Sequence, residues 1–146
     1  MPGTVIRAVP KAQYDFHTLA SGASSPPIVI AKGIDVTQYK YVNMAARIHA
    51  GSINQTGCSV TVDAFAEAPS PEDPSLDFIG ASALNTFPFS GLGPSTTYPQ
   101  FALAPLMGNV GIGGGWSIRI RIMATQGSTP ASSFLVTVSV DIYAQV

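Results

Sequence analysis

The sequence predicts an all-β domain in which two antiparallel sheets pack face to face, as a jelly-roll or Greek-key-like sandwich. Segments with apolar residues at every second position recur along the chain, which is typical of strands with one buried and one exposed face. No segment combines a 3.6-residue apolar period with helix caps, so few or no helices are expected. Long irregular crossovers between the strands favour a jelly roll over an up-and-down barrel.

The chain has the length of one domain. With 146 residues and a mass of 15.1 kDa, it can bury a core without the help of a metal or a disulfide. We expect an extended N-terminal arm over residues 1–26, followed by a single sandwich domain over residues 27–146. Such an arm packs along its own domain or reaches to a neighbouring subunit, and its apolar candidates for this contact are Val5, Ile6, Val9, Tyr14 and Phe16.

Val5, Ile6 and Val9 could form a short strand, and from Pro27 on the strands are expected to follow one another. The β-rich runs "PIVIAKG" and "IDVTQY" lead into the alternating segment of residues 39–50. Residues 58–68 alternate again, and the linking "SINQTG" consists of turn formers. We therefore expect residues 39–50 and 58–68 to pair as a hairpin.

The second half of the chain is less regular until its end. "APSPEDPSLD" predicts an exposed loop and "DFIGASAL" a weaker strand. "NTFPFSGLGPSTTYPQ" is rich in Gly, Pro and aromatic residues and is expected to be irregular, while "FALAPLM" predicts a short strand broken at Pro105. Residues 116–123 and 134–143 alternate most clearly and predict the last two strands.

Charged residues are scarce. They make up 10% of the chain, against about 25% in typical soluble domains. Either much of the surface is buried against other subunits, or the uncharged polar residues Ser, Thr, Asn and Gln hydrate it. The formal charge of −1 and the lack of any Lys or Arg run argue against a nucleic-acid or membrane-surface partner. With no secretion signal or apolar spanning run, the product is expected in the cytoplasm and not secreted.

No constellation of residues specifies a reaction. Cys58, the only cysteine, falls on the apolar side of its strand, whereas His49 and Arg47 fall on the polar side of theirs. Asp63 and Glu67 share one side of a strand with their Cα atoms about 13 Å apart, which is long for a glycosidase pair. We expect no catalytic residues and no enzyme activity.

Neither a metal nor a cofactor is expected. Glu72, Asp73 and Asp77 share a Pro-rich loop, but their spacing matches no calcium loop. The Gly-rich residues 108–116 lack the Lys-Ser/Thr of a phosphate loop and lead into a strand rather than a helix. A lone cysteine without a Cys/His cluster excludes a structural zinc site.

Two groups of residues are candidates for contacts with a partner. Arg47 and His49 are predicted on the outer face of a sheet, where basic side chains are solvated or touch an acidic partner. The aromatic residues could form a sugar-stacking platform, anchor a protein interface, or pack in the core beneath a loop. The aromatic interface candidates are Phe87, Phe89, Tyr98 and Phe101.

The segment "GIDVTQYKYVNMAARIHAG…GCSVTVDAFAE" resembles one in small β-sandwich decoration, or cement, proteins on tailed-phage heads. In that pattern an Asp and a Tyr four residues apart (Asp35 and Tyr39 here) lead into a hydrophobic strand and its partner. The apolar positions that carry the likeness are Val42, Met44, Ile48, Val60 and Val62. The resemblance implies a jelly roll that sits on a capsid lattice as a symmetric oligomer.

The favoured hypothesis is a structural virion protein that decorates or cements a shell. Its partners would be further copies of itself, as in a trimer, and a capsid or shell protein. It would be made in the host cytoplasm and located in the virion. The main alternative is a carbohydrate-binding or adhesive β-sandwich, which needs clustered exposed aromatic residues. A small enzyme or ligand-binding barrel would need polar groups inside an apolar cavity.

Overall fold

The protein is an antiparallel β-sandwich, as the sequence predicts. A computed structural model describes residues 3–36, 38–68, 79–107 and 117–146. Within these residues there are eight strands and no helix. The strands are β1 (Thr4–Asp15), β2 (Ile28–Ile34), β3 (Tyr41–Ile53), β4 (Cys58–Ala68), β5 (Ile79–Leu92), β6 (Gln100–Met107), β7 (Ser117–Thr125) and β8 (Phe134–Gln145).

The strand order is that of a jelly roll. Sheet A has the order β1-β8-β3-β6 and sheet B the order β2-β7-β4-β5. The pairs β1·β8, β2·β7, β3·β6 and β4·β5 are nested antiparallel pairs, as if one long hairpin had been rolled into two sheets. The prediction of a two-sheet sandwich of jelly-roll type is confirmed.

The core lies between the two sheets and follows the period-2 pattern. Sheet A turns Met44 and Ile48 inward, together with Val138 and Ile142 of β8, and all four side chains are fully buried. Sheet B opposes them with fully buried residues of β4 and β7, namely Val60, Val62, Ile118, Ile120 and Ile122. β-branched side chains suit these positions because they fill a pleated surface with little loss of rotamer freedom.

The predicted hairpin of β3 and β4 is wrong. β3 lies in sheet A and β4 in sheet B, so residues 54–57 cross from one sheet to the other. Gly57 takes the left-handed conformation (φ 77°) that glycine adopts without strain. The Asn54 side chain donates to Ser132 Oγ at 2.7 Å and accepts from the Ser133 amide at 3.1 Å. Two consecutive strands with apolar inner faces can pair within one sheet or lie in opposite sheets of a sandwich. The alternation of apolar residues along each strand is the same in both arrangements, so it does not distinguish them.

Two further expectations fail at prolines. The segment expected to be irregular contributes its first half to β5, which runs through Pro88, and β6 continues through Pro105 without a break. Both β5 and β6 are edge strands, paired on one side only. A proline is tolerated in an edge strand because its missing N–H can face away from the ladder.

The N-terminal segment contains a strand of the sandwich. Residues 4–15 form β1 and pair with β8 from Thr4↔Ala144 to Asp15↔Leu135, with two irregularities in register. Val9 and Phe16 are 2% and 3% exposed, and the Phe16 ring meets Phe134 edge to face at 5.7 Å. Of the two alternatives open for residues 1–26, this part of the segment packs along its own domain.

Deleting residues 1–26 should therefore destabilise the fold rather than detach a free arm. The deletion removes the buried side chains of Val9 and Phe16, each worth about 1.5–3 kcal/mol. Domain stabilities are about 5–15 kcal/mol, so we expect a large fall in the urea midpoint or outright aggregation. Removing only residues 1–3 is the control and should leave the midpoint unchanged. A wild-type midpoint for the long deletion would contradict this assignment.

Candidate functional site: the outer face of sheet A

The side chains on the outer face of sheet A are positioned by the registers of its four strands. Arg47 on β3 lies opposite Ser139 on β8 and Phe101 on β6. Arg7 on β1 lies opposite Asp141 on β8. Because residues directly opposite in antiparallel strands share a face, these registers bring basic, polar and aromatic side chains onto one surface.

The centre of this surface is a basic cluster around a buried carboxylate. Asp141 is only 3% exposed although it points away from the core. Arg7 Nε forms an ion pair with its Oδ1, which has no hydrogen-bond partner among the described residues. Arg47 donates to the Tyr143 hydroxyl at 3.2 Å. Long basic side chains thus lie along the sheet and cover it.

His49 belongs to the same cluster. Its Nε2 lies 2.7 Å from Oγ of Ser139, a residue that is 1% exposed. Burial lowers the pKa of His49, and the positive charges of Lys11, Arg47 and Arg7 lower it further, while Asp141 acts in the opposite direction. The four basic groups are therefore close enough to affect one another.

An apolar groove adjoins the basic cluster. The groove has a volume of about 310 Å³ and is lined by Asn43, Ala45, Arg47, Phe101, Leu103 and Tyr143. Phe101 is 70% exposed and Leu103 is 61% exposed. Arg47 forms part of both the groove and the cluster, so the two are continuous.

The groove extends along the sheet toward the chain termini. A second groove of about 340 Å³ includes Val5 and Tyr41, and it shares Asn43 and Tyr143 with the first. Val5 is 59% exposed and Tyr41 is 42% exposed. We call the two grooves together with Arg7, Lys11, Arg47 and His49 the sheet A surface.

Only some of the predicted interface residues lie on this surface. Val5, Arg47, His49 and Phe101 do. Ile6, Tyr14 and Tyr98 are half-buried and pack against the core, with Tyr98 lying over Gly51. The residues that are buried in the core of this chain are Val9, Phe16, Phe87 and Phe89.

The burial of Phe87 and Phe89 follows from β5 being a regular strand. In register with Val62 and Val60 of β4, their side chains point to the inner face of sheet B. The aromatic platform expected from this segment is therefore not formed by them, and core packing is the alternative that holds.

Sequence reasoning missed Leu103, Ala45 and Asp141. A signal for Leu103 was available, since Phe101, Leu103 and Pro105 alternate with Ala102 and Ala104 in one segment. Alternation along β8 puts Asp141 on the outer face, but its burial involves Arg7 from a distant part of the chain.

The outer face of sheet B carries a different arrangement. Arg121 donates to both carboxylate oxygens of Asp63 at 3.0 Å, and its guanidinium lies 4.2 Å from the centre of the Phe65 ring. Asp63 is only 7% exposed although it lies on the outer face of its sheet. Bidentate pairing and stacking are typical of a structural role for arginine.

Cys58 and His49 do not meet. Cys58 is fully buried between the sheets, with its Sγ 3.7 Å from Gln126 Oε1, whereas His49 lies on the outside of sheet A. In the part of the chain that the structure describes, no group of three His, Cys, Asp or Glu residues could hold a metal. The acidic loop with Glu72, Asp73 and Asp77 and the Gly-rich residues 108–116 lie outside the described residues.

No helix among the described residues is long and apolar enough to cross a membrane.

No family model and no curated protein matches the sequence. Comparison with solved structures gives similarity to a chain of infectious bursal disease virus, Gx strain. The TM-score is 0.52 and the identity 12%, over 97% of this chain and 31% of that chain. This protein thus corresponds to about a third of that chain, and the likeness shows the fold.

Two tymovirus structures are also similar at lower scores. Desmodium yellow mottle tymovirus matches with a TM-score of 0.33 and 11% identity, over 99% of this chain and 89% of that chain. The empty head of turnip yellow mosaic virus matches with a TM-score of 0.29 and 11% identity, over 99% and 82%. At these TM-scores the two carry no argument. None of these three structures is from a tailed phage.

The lowered pKa of His49 predicts a pH-dependent stability. His49 binds a proton less readily in the folded than in the unfolded chain, so its contribution to stability is intact at neutral pH. That contribution is lost as the pH falls from about 6.5 through the folded-state pKa. Urea unfolding between pH 8 and pH 5 should show a steeper loss for the wild type than for His49→Gln. Lys11→Gln removes one of the nearby charges and should give an intermediate slope. Equal slopes for all three proteins would contradict this assignment.

Proposed function

We propose that this protein is a structural component of a virus particle, and more specifically one that decorates or cements a shell. The observation that carries the proposal is the sheet A surface, where Phe101 and Leu103 stand exposed beside a basic cluster. A chain with only 10% charged residues that also exposes such a groove is suited to burial against other proteins. The partners would be further copies of the chain and a shell protein, located in the virion.

The fold supports this proposal without deciding it. Jelly rolls occur in viral capsid proteins and also in lectin domains. The similarity to a chain of infectious bursal disease virus agrees with the first use. The carbohydrate-binding alternative needs clustered exposed aromatic residues, and the burial of Phe87 and Phe89 removes two of the expected ones. The viral structural role is therefore the better supported.

The mechanism would be burial of the sheet A surface in a symmetric assembly. Phe101 and Leu103 supply apolar area, and the basic cluster supplies orientation by pairing with acidic groups of the partner. Residues 1–26 would contribute through β1, which brings Val5 and Arg7 to this surface. Symmetry repeats each contact around the particle, so weak contacts add up to a stable attachment.

A test is the mass of the protein in solution, measured by light scattering over a range of concentrations. The wild type should form oligomers. The double variant Phe101→Ser with Leu103→Ser should have a dissociation constant at least about tenfold higher than that of the wild type. Both side chains are mostly exposed, so the variant should keep the wild-type thermal midpoint. Val29→Ser on sheet B, 46% exposed, is the control and should associate as the wild type does.

A wild type that stays monomeric at every concentration and does not bind shells would overturn the proposed function. Loss of association in Val29→Ser but not in the double variant would place the contact on the other sheet and would reject the sheet A surface.

A further inference from the structure

The sheet A surface is basic. The positive charges of Arg7, Lys11 and Arg47 all act on His49, and Asp141, the carboxylate that opposes them there, is buried and paired with Arg7. The groove beside them exposes Phe101 and Leu103. The surface is thus complementary to a segment that combines several acidic residues with one or two apolar ones.

The same chain carries such a segment. Residues 67–78, "EAPSPEDPSLDF", hold four of the eight acidic residues and no Lys or Arg. The rest of the chain holds all seven Lys and Arg against the other four acids, a formal charge of +3 opposite −4. The segment also includes the apolar residues Leu76 and Phe78.

The other acids are less suited to a partner contact. Asp63 and Asp141 are buried and paired with arginines of their own chain. The carboxylate of Asp15 lies 2.7 Å from Nδ1 of His17. Asp35, the fourth of these acids, has no acidic neighbour in the sequence, whereas residues 67–78 hold four acids within twelve residues. Charge complementarity within this chain therefore points to residues 67–78.

The segment of one chain is too short to reach Arg47 of the same chain. Residues 69–78 join Ala68 to Ile79, which are paired neighbours in sheet B. Ten residues that must go out and return extend at most about 20 Å. Arg47 lies six residues along β3 from the matching end of sheet A, about 20 Å, and the sheets are about 10 Å apart. The straight line from the end of sheet B to Arg47 is therefore about 22 Å and passes through the core. Any path around the sandwich to Arg47 is longer.

We propose that residues 67–78 of one copy dock on the sheet A surface of a second copy, with the acids against Arg47 and Lys11 and the apolar side chains in the groove. This inference rests on the proposed function, because it names the contact through which copies of the chain associate. Screening by salt weakens interactions between exposed charges, so association should become weaker as salt is raised from about 0.05 M to 0.5 M.

The test is a charge exchange between two variants. The first, Lys11→Glu with Arg47→Glu, reverses the surface. The second, Glu72→Lys with Asp73→Lys and Asp77→Lys, reverses the formal charge of the segment from −4 to +2. Each variant alone sets like charges against each other and should associate at least about tenfold more weakly than the wild type. An equimolar mixture restores opposite charges at both contacts and should associate within about threefold of the wild type. Sedimentation velocity gives the dissociation constants.

Controls separate local from general charge effects. Lys32→Glu and Asp35→Lys change the charge in the same directions away from the sheet A surface and should associate as the wild type does. If the first variant fails to fold, Lys11→Gln with Arg47→Gln replaces it in the test. This neutral variant should still associate more weakly than the wild type, and its association should depend less on salt.

The possible outcomes distinguish this inference from the proposed function. Restoration in the mixture supports the docking of residues 67–78. A wild type that associates, with charge variants that do not differ from it or do not restore each other, overturns this inference and leaves the proposed function standing. A wild type that neither associates nor binds shells overturns both.

Discussion

The structure depends most on the register between β3 and β8. From Tyr41↔Gln145 to Ile48↔Val138 the two strands pair without a bulge. This register sends Met44 and Ile48 into the core beside the inner residues of β8, and it sends Arg47 outward beside Ser139. A slip of one residue would exchange the two faces of the strand, placing charged side chains in the core and apolar ones outside. The core and the candidate interface are therefore fixed by the same set of backbone hydrogen bonds.

The sequence predicts those features that depend on alternation within one strand. It places the inner residues of β3, β4, β7 and β8 correctly, and with them the sandwich class. The assignment of strands to sheets is not local information, which is why β3 and β4 were expected to pair. β1 was expected at most as a short strand at Val5, Ile6 and Val9, because only Val9 of its residues is fully buried and two register shifts interrupt its alternation. Pro88 and Pro105 suggested breaks, because whether a proline is tolerated depends on the strand being at an edge.

The candidate site could be predicted in part for the same reason. Arg47 and His49 follow from alternation alone. The buried Asp141 and its contact with Arg7 join residues 134 positions apart and appear only in the folded chain. Asp63 and Asp141 are paired with arginines of their own sheets, which leaves few charged groups on the surface. Scarce charge and an exposed apolar groove are both expected if the sheet A surface is covered by other subunits, as we propose.

The central claim is that the sheet A surface is covered when the protein associates. Hydroxyl-radical footprinting with mass spectrometry measures the oxidation rates of individual side chains in the associated and the dissociated protein. The rates for Phe101 and Leu103 should fall several-fold on association, whereas the rate for Val29 on sheet B should stay the same. Unchanged rates for Phe101 and Leu103 in a protein that demonstrably associates would contradict the claim.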